Sequence, residues 1–391
     1  MLHRRTFLIG ACAALVTANH SARAAGQKLR AAIIGHTGNG GYGHGMDALF
    51  ANRPDIEVVA VADPDDAGRA AAQRRCAAKS AYADFREMIQ REQPNLVSVA
   101  PRTTPFRREM LLAAVNAGAH VISEKPFVRA PADADQVLAI ADRKGLKIAV
   151  AHQMRLAPAV VHLQKKINQG LIGDLQQLHA WGKQDNRAGG EDLLVLGVHL
   201  FDLMRLFAGD PQWCTARVMQ GNRDARLADA HPAGEDIGPV LGDQVDAQFA
   251  FDHAVTATFT SRARLRDHAG HWGLELVGSK GTARILADIW PRVMVSTPAR
   301  WTDTGRTDQW RPLDDDPTLN ATPAERAVNP ANARLVDDWL TAIKENREPA
   351  CSGRNAAWAV EMVLATWRAG LTGTRVKLPL KDRTHPLLKQ P

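Results

Sequence analysis

An ionisable pair at the end of an apolar run is the first feature of this chain that could do chemistry. Residues 120–123 form the run, and Glu124 and Lys125 follow it directly. The run favours a strand, which has to end at Pro126 because proline has no N–H to donate. A residue before proline is held extended, so we expect the Lys125 ammonium to point off the sheet edge, where open α/β sheets bind ligands. A solvated loop start is the plainer alternative.

A glycine-rich turn near the start of the chain favours the functional interpretation. Residues 29–34 are apolar apart from Arg30, and glycines at three-residue spacing follow, with a helical pattern over about 43–52. Backbone without a Cβ can approach a pyrophosphate closely, so the turn predicts a phosphate-binding loop between a strand and a helix. The cofactor-binding candidates in it are Gly35, His36, Thr37, Gly38, Asn39, Gly40 and Gly41.

A carboxylate ends the second predicted strand. Residues 56–62 are apolar apart from Glu57, and Asp63 follows them 22 residues past Gly41. A dinucleotide-binding fold places at this point the carboxylate that hydrogen-bonds the adenosine ribose, and such a carboxylate would repel a 2′-phosphate. The position therefore predicts NAD rather than NADP, although Asp63 followed by Pro64 and Asp65 is also compatible with a simple turn.

A histidine in the second half of the chain is a candidate for proton transfer. From His199 to Phe207 the apolar residues fall on one helical face, and His199 and Asp202 lie side by side at its border. An imidazole can donate or accept a proton near neutral pH, which makes His199 a candidate acid/base group. A packing role for this histidine is the alternative.

Together these features resemble the Gfo/Idh/MocA family, named after glucose-fructose oxidoreductase, inositol dehydrogenase and rhizopine catabolism. The resemblance rests on the glycine turn, Asp63, the Glu-Lys-Pro motif at 124–126 and residues 189–199, and it covers most of the chain after the leader. It implies that Glu124 and Lys125 lie by the nicotinamide ribose and the substrate. It also implies that His199 is the catalytic acid/base.

The chain departs from the family pattern beside this histidine. The family commonly has an aspartate four residues before it, where this chain has Val195. A carboxylate that assists His199 would then have to be Glu191, Asp192 or Asp202, and the first two are also candidates for substrate contact.

Four further positions complete the predicted site. Pro101 and Arg102 end the fourth strand and should line the nicotinamide side; the histidine that the family often has just after them is missing. Gln153 stands where the family often has an asparagine. Arg155 follows closely, and either side chain could contact a sugar hydroxyl, although a structural role for Arg155 is equally open.

Strand and helix patterns predict two domains after the leader. Over 27–151 strands alternate with helices, which predicts an α/β domain with a doubly wound parallel sheet of Rossmann type. Over 152–391 hairpins follow one another, which predicts an α+β domain with an open antiparallel sheet. Final helices over about 331–346 and 354–369 should pack back on the sheet or on the first domain. We expect a homo-oligomer formed through the second sheet.

The first 24 residues resemble a twin-arginine export signal. Arg4 and Arg5 precede an apolar run that is too short to span a bilayer, and an Ala-Arg-Ala cleavage pattern ends at Ala24. The leader predicts a periplasmic or exported protein with no membrane span in its mature chain.

Composition excludes two other classes of protein. Three of the seven net positive charges lie in the leader, and no basic run remains to bind nucleic acid. Cys76, Cys214 and Cys351 are too scattered for a disulfide framework or for metal spacing, so no metal site is expected.

The family resemblance implies an NAD-dependent oxidoreductase that removes hydride from a CH–OH carbon of a carbohydrate or polyol. His199 or Lys125 would take the hydroxyl proton. Two alternatives stay open: a glycoside hydrolase that oxidises a sugar carbon transiently with bound NAD, and a non-catalytic NAD-binding sensor. Export with the cofactor already bound would favour a redox-neutral cycle.

Overall fold

The first domain is built on one parallel sheet. The computed structural model describes residues 28–263, 265, 272–296, 310–313 and 328–388, so the predicted export signal lies outside the described residues. The strands are β1 (Leu29–Ile34), β2 (Ile56–Ala62), β3 (Ser80–Tyr82), β4 (Leu96–Val99), β5 (His120–Ser123) and β6 (Ile148–Val150). They lie in the order β3-β2-β1-β4-β5-β6, which confirms the predicted doubly wound sheet. The order reverses direction between β1 and β4, and ligands of such sheets bind beyond the carboxyl ends of the strands at that point.

The prediction of a helix after β1 is wrong. The helices of this domain are α1 (Asp66–Cys76), α2 (Phe85–Glu92), α3 (Arg107–Asn116) and α4 (Pro131–Lys144). Residues 41–52 form a series of turns instead, in which Gly43 and Gly45 have φ angles of 60° and 75°. Each glycine disfavours a helix by about 1 kcal/mol relative to alanine, and a Cβ on Gly43 would lie only 2.4 Å from the carbonyl oxygen of Ala100. The loop therefore packs its backbone directly on the end of β4.

The second domain is built on a large mixed sheet. Its strands are β7 (Leu175–Trp181), β8 (Trp213–Gln220), β9 (Arg223–Asp224), β10 (His231–Pro232), β11 (Pro239–Val240), β12 (Gln244–Ala250), β13 (Thr256–Arg262), β14 (Gly273–Gly278), β15 (Thr282–Leu286), β16 (Arg292–Ser296), β17 (Arg311–Pro312) and β18 (Val376–Lys377). The order is β17-β16-β15-β14-β7-β13-β12-β8-β18, with β9 beside β8, while β10 and β11 pair separately. Its hairpins are antiparallel as expected. The pair β7 and β13 is parallel, a correction that is possible because a long crossover separates them.

Helices cover one face of this sheet and reach back to the first domain. They are α5 (Pro158–Asn168), α6 (Gly190–Asp192), α7 (Val198–Ala208), α8 (Val328–Glu345) and α9 (Gly353–Thr372). Phe201 of α7 packs in the sheet core against Phe249 and Phe259, with ring centroids 5.4 and 5.1 Å away. Helix α8 lies against the first domain, where the indole N–H of Trp339 donates to the carbonyl oxygen of Lys147. Among the described residues, none of the helices is both long and apolar enough to cross a membrane.

Candidate active site

The two domains enclose a cavity of about 340 Å³ beyond the carboxyl ends of β4 and β5. Five residues predicted from the sequence line it: Arg102, Glu124, Lys125, Gln153 and His199. Its size and its mixture of polar and apolar walls are typical of small-molecule sites. The structure therefore brings the Glu-Lys-Pro motif of the first domain and the candidate histidine of the second domain to one place.

The Lys125 ammonium is buried and is held by a backbone carbonyl. The side chain is 8% exposed, and Nζ donates to the carbonyl oxygen of Val195 over 2.9 Å. Burial holds the pKa of Lys125 below its usual range, and the charges of Glu124 and Glu235 only partly offset that effect. An ammonium in this state can give up its proton more readily than one in water.

Glu124 connects the end of β5 to the glycine-rich loop. One carboxylate oxygen, Oε1, accepts hydrogen bonds from the backbone N–H and from Nδ1 of His44, each over 2.7 Å, and Oε2 accepts from the Lys125 N–H over 2.9 Å. Burial alone would raise the pKa of Glu124, but the hydrogen bonds and charge of His44 and the charge of Lys125 hold it below the usual value. Glu124 therefore stays ionised and positions the loop. His44 is not among the residues predicted from the sequence, although it directly follows the glycine-rich turn.

His199 lies at the opposite wall as a neutral imidazole. Its ring packs between His152 and Trp272, with centroids 5.1 and 6.0 Å away. Its Nδ1 is buried and has no hydrogen-bond partner in the part of the chain that the structure describes. Burial, followed by the neighbouring His152 and Lys125, holds the pKa of His199 well below its usual value. At neutral pH this imidazole can accept a proton.

Arg155 does not line the cavity. Its guanidinium donates to both carboxylate oxygens of Asp202, over 2.9 and 2.8 Å, and to the Asp202 carbonyl oxygen. Burial would raise the pKa of Asp202, but Arg155 and His152 hold it well below the usual range. The Nδ1 of His152 lies 3.7 Å from Asp202 Oδ1, too far for a hydrogen bond. The ion pair of Arg155 and Asp202 therefore lies beside His152, and the His152 ring packs against the His199 ring.

The other two predicted carboxylates also lie away from the cavity lining. Asp192 is buried, accepts hydrogen bonds from Ser261 Oγ over 2.7 Å and from the Lys183 N–H over 3.1 Å, and has its pKa raised by burial to about 6. Glu191 faces Gly234, where a Cβ would lie 3.3 Å from its Oε1. These two and Asp202 all belong to the described residues, and none of the three forms a hydrogen bond or salt bridge with His199.

The glycine-rich loop and the end of β2 form a second pocket that fits the adenosine half of a dinucleotide. This pocket of about 300 Å³ is lined by Gly35, His36 and Asp63 and by two phenylalanines at the N-terminal ends of α2 and α3. Asp63 is fully buried and accepts hydrogen bonds from the backbone N–H and the hydroxyl of Thr37. A Cβ on Gly40 would lie 2.6 Å from the backbone nitrogen of Thr103, so only glycine fits there. The predicted residues Gly38, Asn39 and Gly41 lie in the same loop.

Pro101 and Gln153 take part in networks around the cavity. Arg107, which is 1% exposed, donates to the carbonyl oxygens of Pro101 and Glu124 and so ties the ends of β4 and β5 together. Burial lowers the pKa of Arg107 to about 10. Gln153 donates to Asn332 Oδ1 over 2.7 Å and thereby joins the cavity floor to α8. Arg107 is not among the predicted residues, because nothing in its local sequence pattern indicates burial.

Four more residues of the second domain line the cavity and were also missed: Lys183, Arg187, Glu235 and Trp272. Arg187 binds Glu235 Oε1 over 2.9 Å, and Arg102 of the first domain lies 4.0 Å from the same carboxylate. Lys183 and Arg187 follow β7, whereas Glu235 and Trp272 come from two other connections, so only the fold brings the four together. They give the cavity a charged wall opposite the glycine-rich loop.

Two family models match the chain. The oxidoreductase family with an NAD-binding Rossmann fold matches residues 29–152, and its C-terminal alpha/beta domain matches residues 158–378. A D-apiose dehydrogenase from Paraburkholderia graminis is 26% identical over 344 residues, which covers 84% of this chain and 85% of that protein.

Solved structures share the whole two-domain fold. A levoglucosan dehydrogenase in complex with NADH and levoglucosan has a TM-score of 0.72 at 19% identity, covering 90% of this chain and 100% of that one. An aldose-aldose oxidoreductase from Caulobacter crescentus, complexed with glycerol, has a TM-score of 0.68 at 19% identity with coverage of 90% and 100%. Because the two family models together match most of the chain, it belongs to the GFO_IDH_MocA oxidoreductase family, with an NAD-binding Rossmann domain followed by the family's C-terminal domain.

Proposed function

We propose that this protein is an NAD-dependent oxidoreductase that acts on a CH–OH group of a carbohydrate or polyol. The observation that carries the proposal is the convergence of Lys125 and His199 on one cavity beside the NAD-binding edge of the sheet. Both side chains have pKa values below their usual ranges because they are buried. Groups of this kind can take the hydroxyl proton as the C–H hydride leaves. Bound NAD supplies the hydride acceptor.

The names of relatives support the carbohydrate class. The relative from Paraburkholderia graminis is a D-apiose dehydrogenase, and the structural neighbour with NADH contains levoglucosan. Trp272 adds an apolar wall beside His199, and Gln153 and Lys183 add polar groups. Such a mixture suits a sugar ring, which offers both C–H faces and hydroxyl groups.

Within this cavity, Lys125 and His199 have different tasks. Lys125 lines the cavity with its Nζ fixed by the Val195 carbonyl, where it can orient a substrate hydroxyl. His199 also lines the cavity and is neutral, so its imidazole can accept a proton without first losing one. We therefore assign proton acceptance to His199, with Lys125 as the group that orients the hydroxyl and shares its proton.

A redox-neutral cycle is the second candidate, and the twin-arginine-like leader favours it. An exported enzyme would leave the cytoplasm folded with NAD bound, and a cofactor that does not exchange has to be regenerated in place. The paired oxidation and reduction of two sugars, or a transient oxidation that allows glycosidic cleavage, would satisfy that need. The fold is shared with an aldose-aldose oxidoreductase, which is compatible with the first version.

The test follows NADH absorbance of the purified protein with a panel of sugars, polyols and glycosides. Acid extracts of protein prepared without added cofactor report any bound nicotinamide. Lys125→Met and His199→Asn are the active-site variants, and Lys165→Met, an exposed lysine on α5, is the matched control. Sugar-dependent NADH formation that both active-site variants lose supports a dehydrogenase. Product formation from bound NAD alone supports the redox-neutral cycle, and no turnover with any member of the panel contradicts both.

A further inference from the structure

The ammonium of one cavity lysine has no hydrogen-bond or salt-bridge partner in the described part of the chain. Lys183 lines the cavity and forms no salt bridge there, in contrast to Arg102 and Arg187. Lys125 forms no salt bridge either, but its Nζ donates to the Val195 carbonyl oxygen over 2.9 Å. Arg187 is bound to both Asp185 and Glu235, over 3.0 and 2.9 Å. Arg102 lies within 4.0 Å of Glu235. Lys183 is therefore available to bind an anionic group in the cavity that it lines.

The backbone of Lys183 is held in place by a buried network. It follows β7 after Gly182, and its N–H donates to the buried carboxylate of Asp192 over 3.1 Å. Ser261 donates to the same oxygen over 2.7 Å, and a Cβ on Gly182 would lie 1.8 Å from it, so glycine is required there. This network fixes where the Lys183 side chain leaves the sheet.

The nearby carboxylates are committed to other groups. Asp185, two residues along the chain, binds the guanidinium and the backbone N–H of Arg187. Asp288 lies on the exposed rim and accepts from the Ile289 N–H over 2.8 Å. Neither forms a salt bridge with Lys183 in the described part of the chain. The ammonium is therefore free for a ligand.

We propose that the natural substrate is an anionic carbohydrate, a sugar acid whose carboxylate is bound by Lys183 while its hydroxyl-bearing carbon lies beside Lys125 and His199. This proposal rests on the proposed oxidoreductase function and names its substrate class. A carboxylate is favoured over a phosphate because the arginine fork that suits phosphate, Arg187, already binds two carboxylates. The single positive charge of the Lys183 ammonium matches the single negative charge of a carboxylate.

The test measures binding to the NAD-loaded protein by calorimetry, so that it does not depend on turnover. The probes are matched pairs, D-glucuronate with D-glucose and D-galacturonate with D-galactose, together with D-glucose 6-phosphate. A charge-assisted hydrogen bond corresponds to an expected preference for an acid over its neutral partner of about 10- to 100-fold. Lys183→Met should abolish that preference, Lys183→Arg should retain most of it, and Lys165→Met should not change it.

Three results would overturn the inference: no acid binds more tightly than its neutral partner, the preference survives in Lys183→Met, or the sugar phosphate binds more tightly than the uronate. Loss of the preference in Lys183→Met alone, with an unchanged unfolding temperature, supports it. Hydride transfer is followed in the same samples by NADH absorbance. Tighter binding of the acids without any hydride transfer would contradict the proposed oxidoreductase function but would still support an anion-binding site at Lys183.

Discussion

Cofactor selectivity depends on how many hydrogen bonds the Asp63 carboxylate can still accept. Asp63 is fully buried at the end of β2. Its two oxygens accept from the Thr37 N–H, the Thr37 hydroxyl and the Asp65 N–H, over distances of 2.8 to 3.1 Å. A carboxylate offers about four acceptor sites, so about one remains for a ribose hydroxyl. The charge itself stands where a 2′-phosphate would lie.

The expected effect of Asp63→Asn follows from that single bond. A hydrogen bond to a charged group contributes about 1.5–3 kcal/mol, and about 1.4 kcal/mol corresponds to a tenfold change in Kd. We therefore expect Asp63→Asn to weaken NAD binding by about 10- to 100-fold. Binding of NADP should weaken less or improve, because the repulsive charge is removed. The preference for NAD then falls.

Calorimetry with both cofactors checks this prediction. Asp65→Asn is the matched control, since Asp65 lies two residues away, caps α1 through the Gly68 N–H and does not line the adenosine pocket. Asparagine at 65 keeps the cap, so neither cofactor should bind differently. An unchanged ratio of the two Kd values in Asp63→Asn, measured on protein with a near-normal unfolding temperature, would refute the reasoning.

Three further predictions concern the site and its support. Lys125→Met and His199→Asn should each lower turnover by about two or more orders of magnitude with little change in unfolding temperature; normal turnover per folded molecule would assign His199 to packing. Because the folded pKa of His199 lies well below 6.5, the oxidation rate should show no inflection near pH 6.5 and should fall only at more acidic pH, which a pH–rate profile checks. Arg155→Met should lower the free energy of unfolding by about 3–5 kcal/mol without raising KM, because the buried Asp202 loses its counter-charge. In the wild-type protein the folded pKa of Asp202 is depressed, so its contribution to stability is complete at pH values above its unfolded pKa. In Arg155→Met the stability lost relative to the wild type should shrink between pH 7 and pH 5, because the buried Asp202 takes up a proton over that range. Denaturant unfolding at both pH values tests this.

Local patterns were sufficient to predict the sheet and the residues at its edge. Five of the six parallel strands are short, mostly apolar runs followed by a turn signal, and the side chains just beyond three of them, Asp63, Pro101 and Glu124, lie at the same edge. Strand β3, Ser80–Tyr82, is three residues long with no apolar run and was not predicted. The helix predicted after β1 failed for a local reason too. Apolar spacing there resembles a helix, but the glycines at 43 and 45 adopt positive φ angles and let the loop pack on β4.

The second wall of the cavity could not be predicted from local patterns. Lys183 and Arg187 stand in the connection after β7, Glu235 stands between β10 and β11, and Trp272 stands just before β14, so no single spacing rule links them. Arg155 is a further residue whose role could not be predicted from its local sequence. Its position near Gln153 suggested substrate contact, whereas the decisive fact is a buried partner 47 residues away in sequence, Asp202.

The Lys125 ammonium is held by an uncharged group, and this affects how readily it gives up its proton. Residues Leu193–Gly197 form a π-helical turn, a wider turn that is frequent at functional sites, and it leaves the Val195 carbonyl oxygen to accept the Lys125 ammonium over 2.9 Å. The family that this sequence resembles commonly has an aspartate at this position. With aspartate at 195 the same backbone carbonyl oxygen would be present, and a nearby side-chain carboxylate would add a negative charge that stabilises the ammonium and raises its pKa. Valine adds no charge, so burial dominates and the pKa of Lys125 stays below its usual range. With Val195, the proton of Lys125 is therefore easier to share with a substrate hydroxyl, next to an imidazole that is already neutral.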